Sequence, residues 1–180
     1  MKLRAKASLL ALMLVVAPAA VLAQLAPELQ AKVDSYKQKL VEWAAHPAIV
    51  AAVKESNAAG GLVPGMNNGK WDELAENDPV VKAFQTSEAG KHVTGWEGDA
   101  GITKLYLRDE KGNVVASSSK PLLYNNGSKP PFVNAMKGAP WNATEVKPDP
   151  ASQVKGVHIS VPVLDGGKVI GVLHSSVAAQ

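Results

Sequence analysis

The 180-residue chain has no cysteine, and only 5% of its residues are aromatic. Without thiols there can be no disulfide framework, Cys-ligated zinc, iron–sulfur centre, c-type haem attachment or lipoprotein anchor. Stability must therefore come from packing. Long apolar runs are lacking too: the stretch from Leu9 to Ala17 falls well short of the ~20 residues that a membrane-spanning helix needs. An excess of one charge is missing once residues 1–23 are set apart. The formal net charge of +3 comes from 19 Lys+Arg against 16 Asp+Glu, and Lys2, Arg4 and Lys6 account for the difference. The remainder is formally neutral and carries no basic stripe, which argues against nucleic acid or an anionic membrane surface as partner.

Residues 1–23 combine that basic start and short apolar run with small residues around Val21-Leu22-Ala23, the pattern of a secretory signal peptide cut before Gln24. The expected product is a periplasmic or secreted protein, soluble after cleavage near Ala23. Residues 24–180 have the size of one domain.

Two regimes of periodicity divide that domain, with 24–93 mainly helical and 102–180 mainly β. Leu29, Val33, Tyr36, Leu40, Trp43, Pro47 and Val50 recur at steps of four and three, a heptad-like seam. Pro47 disfavours helix at His46, so the spacing predicts a helix to about Ala45 and a second one restarting at Pro47. That second helix should end in Asn57 to Gly61, followed by a loop over 62–70. Asp72 is expected to cap a helix from Glu73, and Asp78-Pro79 to start another reaching Gly90. A Gly-rich link over 95–101 should follow.

Beyond it the pattern alternates. Asp109-Glu-Lys-Gly-Asn113 has the composition of a turn pairing strand 102–108 with 113–119, and Asp165-Gly-Gly-Lys168 does the same for 156–164 and 168–177. Between the two hairpins, the proline-rich segment Lys120 to Pro150 reads as a long functional loop, with a short helix near 131–137 and a strand near 141–146. The fold class is α+β: one or more N-terminal helices packed on a single antiparallel sheet of about five strands.

This layout resembles the Cache family of PAS-like extracellular sensor domains. The resemblance lies in the N-terminal helix, Ile102 to Asp109 with Gly112 and Val114 to Ser118, Tyr124 and Phe132, Ile159 to Val163, and Gly167 with Val169 to Leu173. It implies a pocket on one sheet face, roofed by the segment between the hairpins, and a protein that binds a small organic ligand and acts with a separate membrane histidine kinase or chemoreceptor. The family's amino-acid-binding members resemble one another in an Arg two residues before a Trp or Tyr in the roof. Lys129-Pro-Pro-Phe132 stands there instead, which leaves organic acids, other small metabolites or no ligand open. A homodimer through the N-terminal helix is a further implication, with ordinary packing of the seam on the sheet as the competing reading.

The candidate ligand-binding residues are Tyr106, Arg108, Ser118, Tyr124, Lys129, Phe132, Trp141, His158 and Ser160. Arg108 and Lys129 could neutralise a carboxylate, and Tyr124, Phe132 and Trp141 offer flat apolar area. A two-residue turn at Gly166-Gly167 predicts that His158, Ser160 and Pro162 share a face with Leu173 and Ser175, leaving His174 on the other. A three-residue turn after Asp109 likewise predicts Tyr106 and Arg108 on one face with Ala116 and Ser118.

No catalytic residue, metal site or cofactor is expected. His46, His92, His158 and His174 lack metal-ligand spacing. Ser117-Ser-Ser-Lys120 matches a Ser-x-x-Lys pair, but it ends a strand where that chemistry wants a helix start. The competing functional reading is a non-catalytic structural or protein-interaction module whose pocket is filled by its own side chains; an unrecognised hydrolase comes third. Intact mass of the exported protein should correspond to a chain beginning at Gln24, and a mass that retains residues 1–23 would contradict the export reading.

Overall fold

The computed structural model describes residues 25–149 and 153–179. The expected signal peptide and its cleavage point lie outside the described residues. Six helices and six strands are present among them. Helix α1 (Pro27–Ala44) and helix α2 (Pro47–Ala59) meet at His46, whose extended backbone places its Nδ1 to accept from the Ala48 N–H. Pro47 then occupies the first turn of α2, where its missing N–H costs nothing. Gly60, at a φ of 73°, closes α2 in the left-handed conformation typical of a C-terminal glycine.

Three expectations about the next helices need correction. The loop over 62–70 is interrupted by helix α3 (Asn68–Asp72), capped by Asn67, whose Oδ1 accepts from the Lys70 N–H. Asp72 therefore ends a helix where it was expected to cap one. Helix α4 (Pro79–Thr86) starts on the Asp78 cap as expected but stops at Ser87, whose hydroxyl accepts from the Gly90 N–H and opens helix α5 (Glu88–Glu97). The joint is tight: a Cβ on Gly90 would sit 2.4 Å from the Phe84 carbonyl oxygen. Because α5 reaches Glu97, the Gly-rich link shrinks to 98–101.

The sheet comprises β1 (Ile102–Asp109), β2 (Val114–Ser117), β3 (Trp141–Asn142), β4 (Lys147–Pro148), β5 (Lys155–Asp165) and β6 (Lys168–Ala178). Its order is β2-β1-β6-β5-β3, with β4 also on β5, all antiparallel. The count is six where about five were expected: the strand foreseen over 141–146 is reduced to the two residues of β3, and β4 follows just beyond it. Helix α6 (Pro130–Ala135) sits between β2 and β3 in the chain.

Both hairpin registers differ from the alternation that the turns alone dictate. The β5–β6 pairing opens as predicted with Asp165↔Lys168 and Leu164↔Val169, then slips to Val163↔Gly171, so that Ser160 faces His174 and His158 faces Ser176. The extra residue is Ile170, a β-bulge that turns every later β6 side chain to the opposite face. His174 thus shares a face with His158 and Ser160, while Leu173 and Ser175 go to the other. In the first hairpin Arg108↔Val114 slips to Leu107↔Ala116 and Tyr106↔Ser117, with Val115 as the extra residue.

The main core lies between α1, α2 and α5 and one sheet face, with Leu105, Leu107, Ile159, Val161 and Leu173 among the wholly buried contributors. The heptad-like seam serves this core. Val33 and Leu40 are wholly buried, Leu29, Tyr36, Trp43 and Val50 pack against the same cluster, and Pro47 is exposed. Trp43 stacks on Trp96 of α5 with ring centroids 5.1 Å apart, binding the helical layer together. Tyr36 donates to Asp99, which Lys39 also reaches at 2.7 Å. These two contacts, the Lys39 bond foremost, hold the Asp99 carboxyl down at about 2.

Replacing Leu40 by Ala should cost about 2–5 kcal/mol in urea unfolding. Val41→Ala, one position along on the exposed side, should stay within about 0.5 kcal/mol. Equal effects would mean that the seam does not face the sheet.

Candidate ligand-binding cavity

The sheet face away from the helices carries Tyr106 and Arg108 from β1, Val172 and His174 from β6, and His158, Ser160 and Pro162 from β5, opposite one another in the observed register. The segment between the hairpins folds over part of this face and encloses a cavity of about 470 Å³, within the range of small-molecule sites. The floor is Tyr106, Arg108, His158 and His174. The roof is Pro121 to Leu123, Asn126, Lys129 to Pro131, Trp141, Ala143 to Glu145 and Lys147.

Arg108 is the best-buried charge in this floor, only 2% exposed. Its Nη1 donates to the carbonyl oxygens of Tyr124 at 2.6 Å and Leu123 at 3.0 Å, and more distantly to that of Gly112. Its Nε donates to His174 Nε2 at 3.3 Å. Among the described residues, Nη2 has no hydrogen-bond partner and no carboxylate pairs with the guanidinium. Asp109, next along the strand, is turned to the other side, where it accepts from Ser56, Asn113 and the turn amides of Lys111 and Asn113. Burial lowers the Arg108 guanidinium to about 10, which still leaves it charged at neutral pH.

His174 is held well below its ordinary value, first by burial and then by the adjacent guanidinium, and burial lowers His158 as well. Accepting from Arg108 on Nε2 leaves the His174 proton on Nδ1. The Tyr106 ring lies 5.3 Å from the His174 ring, and burial pushes its phenol upward, so it remains a neutral hydrogen-bonding group.

Five of the nine residues singled out in the sequence line this cavity: Tyr106, Arg108, Lys129, Trp141 and His158. Four do not. The Tyr124 ring packs on Trp71 and Phe84 at 5.6 and 6.3 Å in a separate small core; only its carbonyl serves the site, by holding Arg108. Phe132 packs on Ala135 and Val172, closing the sheet face beneath α6. Ser160 is wholly buried and donates to the Pro131 carbonyl at 2.7 Å, fastening α6 to the sheet. Ser118 exchanges hydrogen bonds with the Leu105 backbone, because the bulge at Val115 turns it to the core side.

His174 escapes the alternation argument for the same kind of reason: the bulge at Ile170 reverses its face. Gly171 is the signal that could have found it. A Cβ there would come within 2.3 Å of the Arg108 carbonyl oxygen and 2.8 Å of Val53, and a glycine inside a strand often marks a bulge or a close approach. Asn126, Glu145 and Lys147 lack any periodic pattern to single them out. No group of three or more His, Asp or Glu among the described residues could hold a metal ion. The rings of His46 and His92 lie tilted at 48° to each other with centroids 4.1 Å apart, and neither lines the cavity.

No protein-family model matches the chain, and no curated protein does. Among solved structures it is similar to the sensor domain of the histidine kinase DctB from V. cholerae, with 16% identity and a TM-score of 0.43 over 84% of this chain and 57% of that one. It is also similar to the ligand-binding domain of the Campylobacter jejuni chemoreceptor Tlp3 in complex with 4-methylisoleucine, with 14% identity and a TM-score of 0.43 over 82% and 60% of the two chains. A third is the ligand-binding domain of the Pseudomonas aeruginosa PAO1 amino acid chemoreceptor PctC in complex with GABA, with 14% identity and a TM-score of 0.43 over 82% and 62%. The chain thus spans less than two thirds of each of these structures.

The two lowered histidines predict a pH dependence. Above their ordinary value of 6.5 both are neutral, folded or unfolded. As pH falls below it, the unfolded chain takes up protons that the folded chain refuses, so stability falls until the lowered folded values are reached. The thermal midpoint should drop between about pH 7 and about pH 5, and His174→Gln should flatten that slope. A midpoint independent of pH in this window would show that the imidazoles are not held neutral.

Proposed function

We propose that this chain is an exported, non-catalytic sensory domain of the Cache type, which binds a small molecule between sheet and roof. The bound state would be presented to a separate membrane protein, a histidine kinase or chemoreceptor. The observation that carries the reading is the cavity itself, about 470 Å³ with a buried guanidinium in its floor that no carboxylate among the described residues neutralises. A self-filled interaction module would place side chains in that space, so the open volume favours a ligand.

A separate membrane partner is part of the proposal through the resemblance to Cache sensor domains; no helix among the described residues is long and apolar enough to cross a membrane. Signal-peptide cleavage near Ala23 and a periplasmic location complete it. Self-association through α1 would have to use its outer surface, where Val41 is 44% exposed, since the seam packs on the sheet.

A thermal-shift screen of the exported protein against carboxylates, amines, sugars and purines tests this reading. A ligand at a hundredfold its Kd stabilises the native state by about 2.7 kcal/mol, or about 5–10 °C for a domain of this size. A screen in which no class moves the midpoint would overturn it.

A further inference from the structure

We infer that the cavity takes a carboxylic acid with an aromatic or branched hydrocarbon body and no ammonium group, its single carboxylate resting on the free Nη2 edge of Arg108. This rests on the ligand-binding reading above and specifies the chemistry of that site.

The charge balance of the lining points to an anion. Three cations, Arg108, Lys129 and Lys147, face one carboxylate, Glu145. Glu145 and Lys147 are both exposed and pair with each other at 2.6 Å. Every acceptor that holds Arg108 is neutral, either a backbone carbonyl or an imidazole. Asp109 acts on this buried cation only through space and no carboxylate among the described residues touches it, so a ligand carboxylate offsets part of its desolvation cost while gaining a charge-assisted hydrogen bond. With Nε and Nη1 already engaged, Nη2 is left to donate to one carboxylate.

The same arrangement disfavours an α-ammonium group. A ligand docked by its carboxylate on Arg108 would place that ammonium one carbon away, beside the guanidinium, while the one acid of the lining, Glu145, is exposed and held by Lys147. The other nearby acid, Asp149, pairs with Lys104 at 3.6 Å and lines a small adjoining cavity of about 40 Å³. The rest of the ligand has hydrocarbon to meet: Pro121, Leu123, Pro131, Trp141 and Ala143 belong to the lining. An aromatic ring or branched chain gains by burial against those side chains, whereas the cations left for a second carboxylate, Lys129 and Lys147, are exposed to water, and Lys147 already pairs with Glu145.

Matched probes isolate each element by calorimetric titration of the exported protein. 3-Phenylpropanoate differs from L-phenylalanine, and 4-methylpentanoate from L-leucine, only by the ammonium group; 3-phenylpropanamide lacks the charge, and succinate replaces the hydrocarbon body by a second carboxylate. One or both monocarboxylates should bind about tenfold or more tighter than their matched partners, the scale of one charge-assisted hydrogen bond. Trp141→Ala, in a short and partly exposed strand, should weaken the acids about tenfold while leaving circular dichroism unchanged. L-phenylalanine, L-leucine, the amide or succinate binding as tightly as the acids would overturn the ligand class and leave the binding domain standing. So would silence from all six probes when another screened compound binds. Acids that bind undiminished to Trp141→Ala would place them outside this cavity. No binding from probes or screen would overturn both readings.

Discussion

A single buried guanidinium ties together the parts of this molecule that are distant in sequence. Arg108 leaves the end of β1, reaches under the roof to the carbonyls of Leu123 and Tyr124, touches that of Gly112 in the turn, and gives its Nε to His174 on β6. The roof is thereby fixed to the floor by hydrogen bonds from a charged group, each worth more than a neutral one. The floor of the cavity is polar, while Pro121, Leu123, Pro131, Trp141 and Ala143 add hydrocarbon to its lining. The Arg108 carbonyl in turn faces Gly171, where only a glycine permits the approach, so side chain and backbone of one residue set both the depth and the alignment of the site.

The alignment depends on the two β-bulges. Each inserts one residue, Val115 in β2 and Ile170 in β6, and each reverses the facing of the strand residues beyond it. The β6 bulge puts His174 on one face with Tyr106, Arg108 and His158, and Leu173 on the other with Leu105, Leu107, Ile159 and Val161, while the β2 bulge turns Ser118 toward the core side. The helical layer packs on the second face through the α1 seam. Without the β6 bulge, Leu173 would fall on the polar face and His174 in the core, a conflict that would cost an unsatisfied buried imidazole.

Much of the fold was legible in the sequence because local rules dominate there. Pro47 and Pro79 announce helix starts, Gly60 a helix end, and the Gly-containing turns two hairpins; the order of helices before sheet follows from them. Helix α3 and the break at Ser87 were not legible, since a short Asn or Ser cap competes with several equally good starts nearby. The site was legible by element and not by side chain. Pattern singles out His158, Tyr106 and Arg108, whereas Ser118 and His174 depend on bulges that alternation cannot reveal. Tyr124 and Phe132 read as pocket walls because an aromatic in a roof looks the same in sequence whether it faces a ligand or a neighbour such as Trp71 or Val172.

In the proposed reading ligand capture turns on the unpaired Nη2 of Arg108, and a crystal structure of the protein grown with a saturating arylalkanoate tests it most directly. The expected result is a carboxylate oxygen within about 2.7–3.0 Å of Arg108 Nη2 and the ring against Trp141. A ligand bound elsewhere, or a cavity closed by the protein's own side chains in the presence of that ligand, would contradict it.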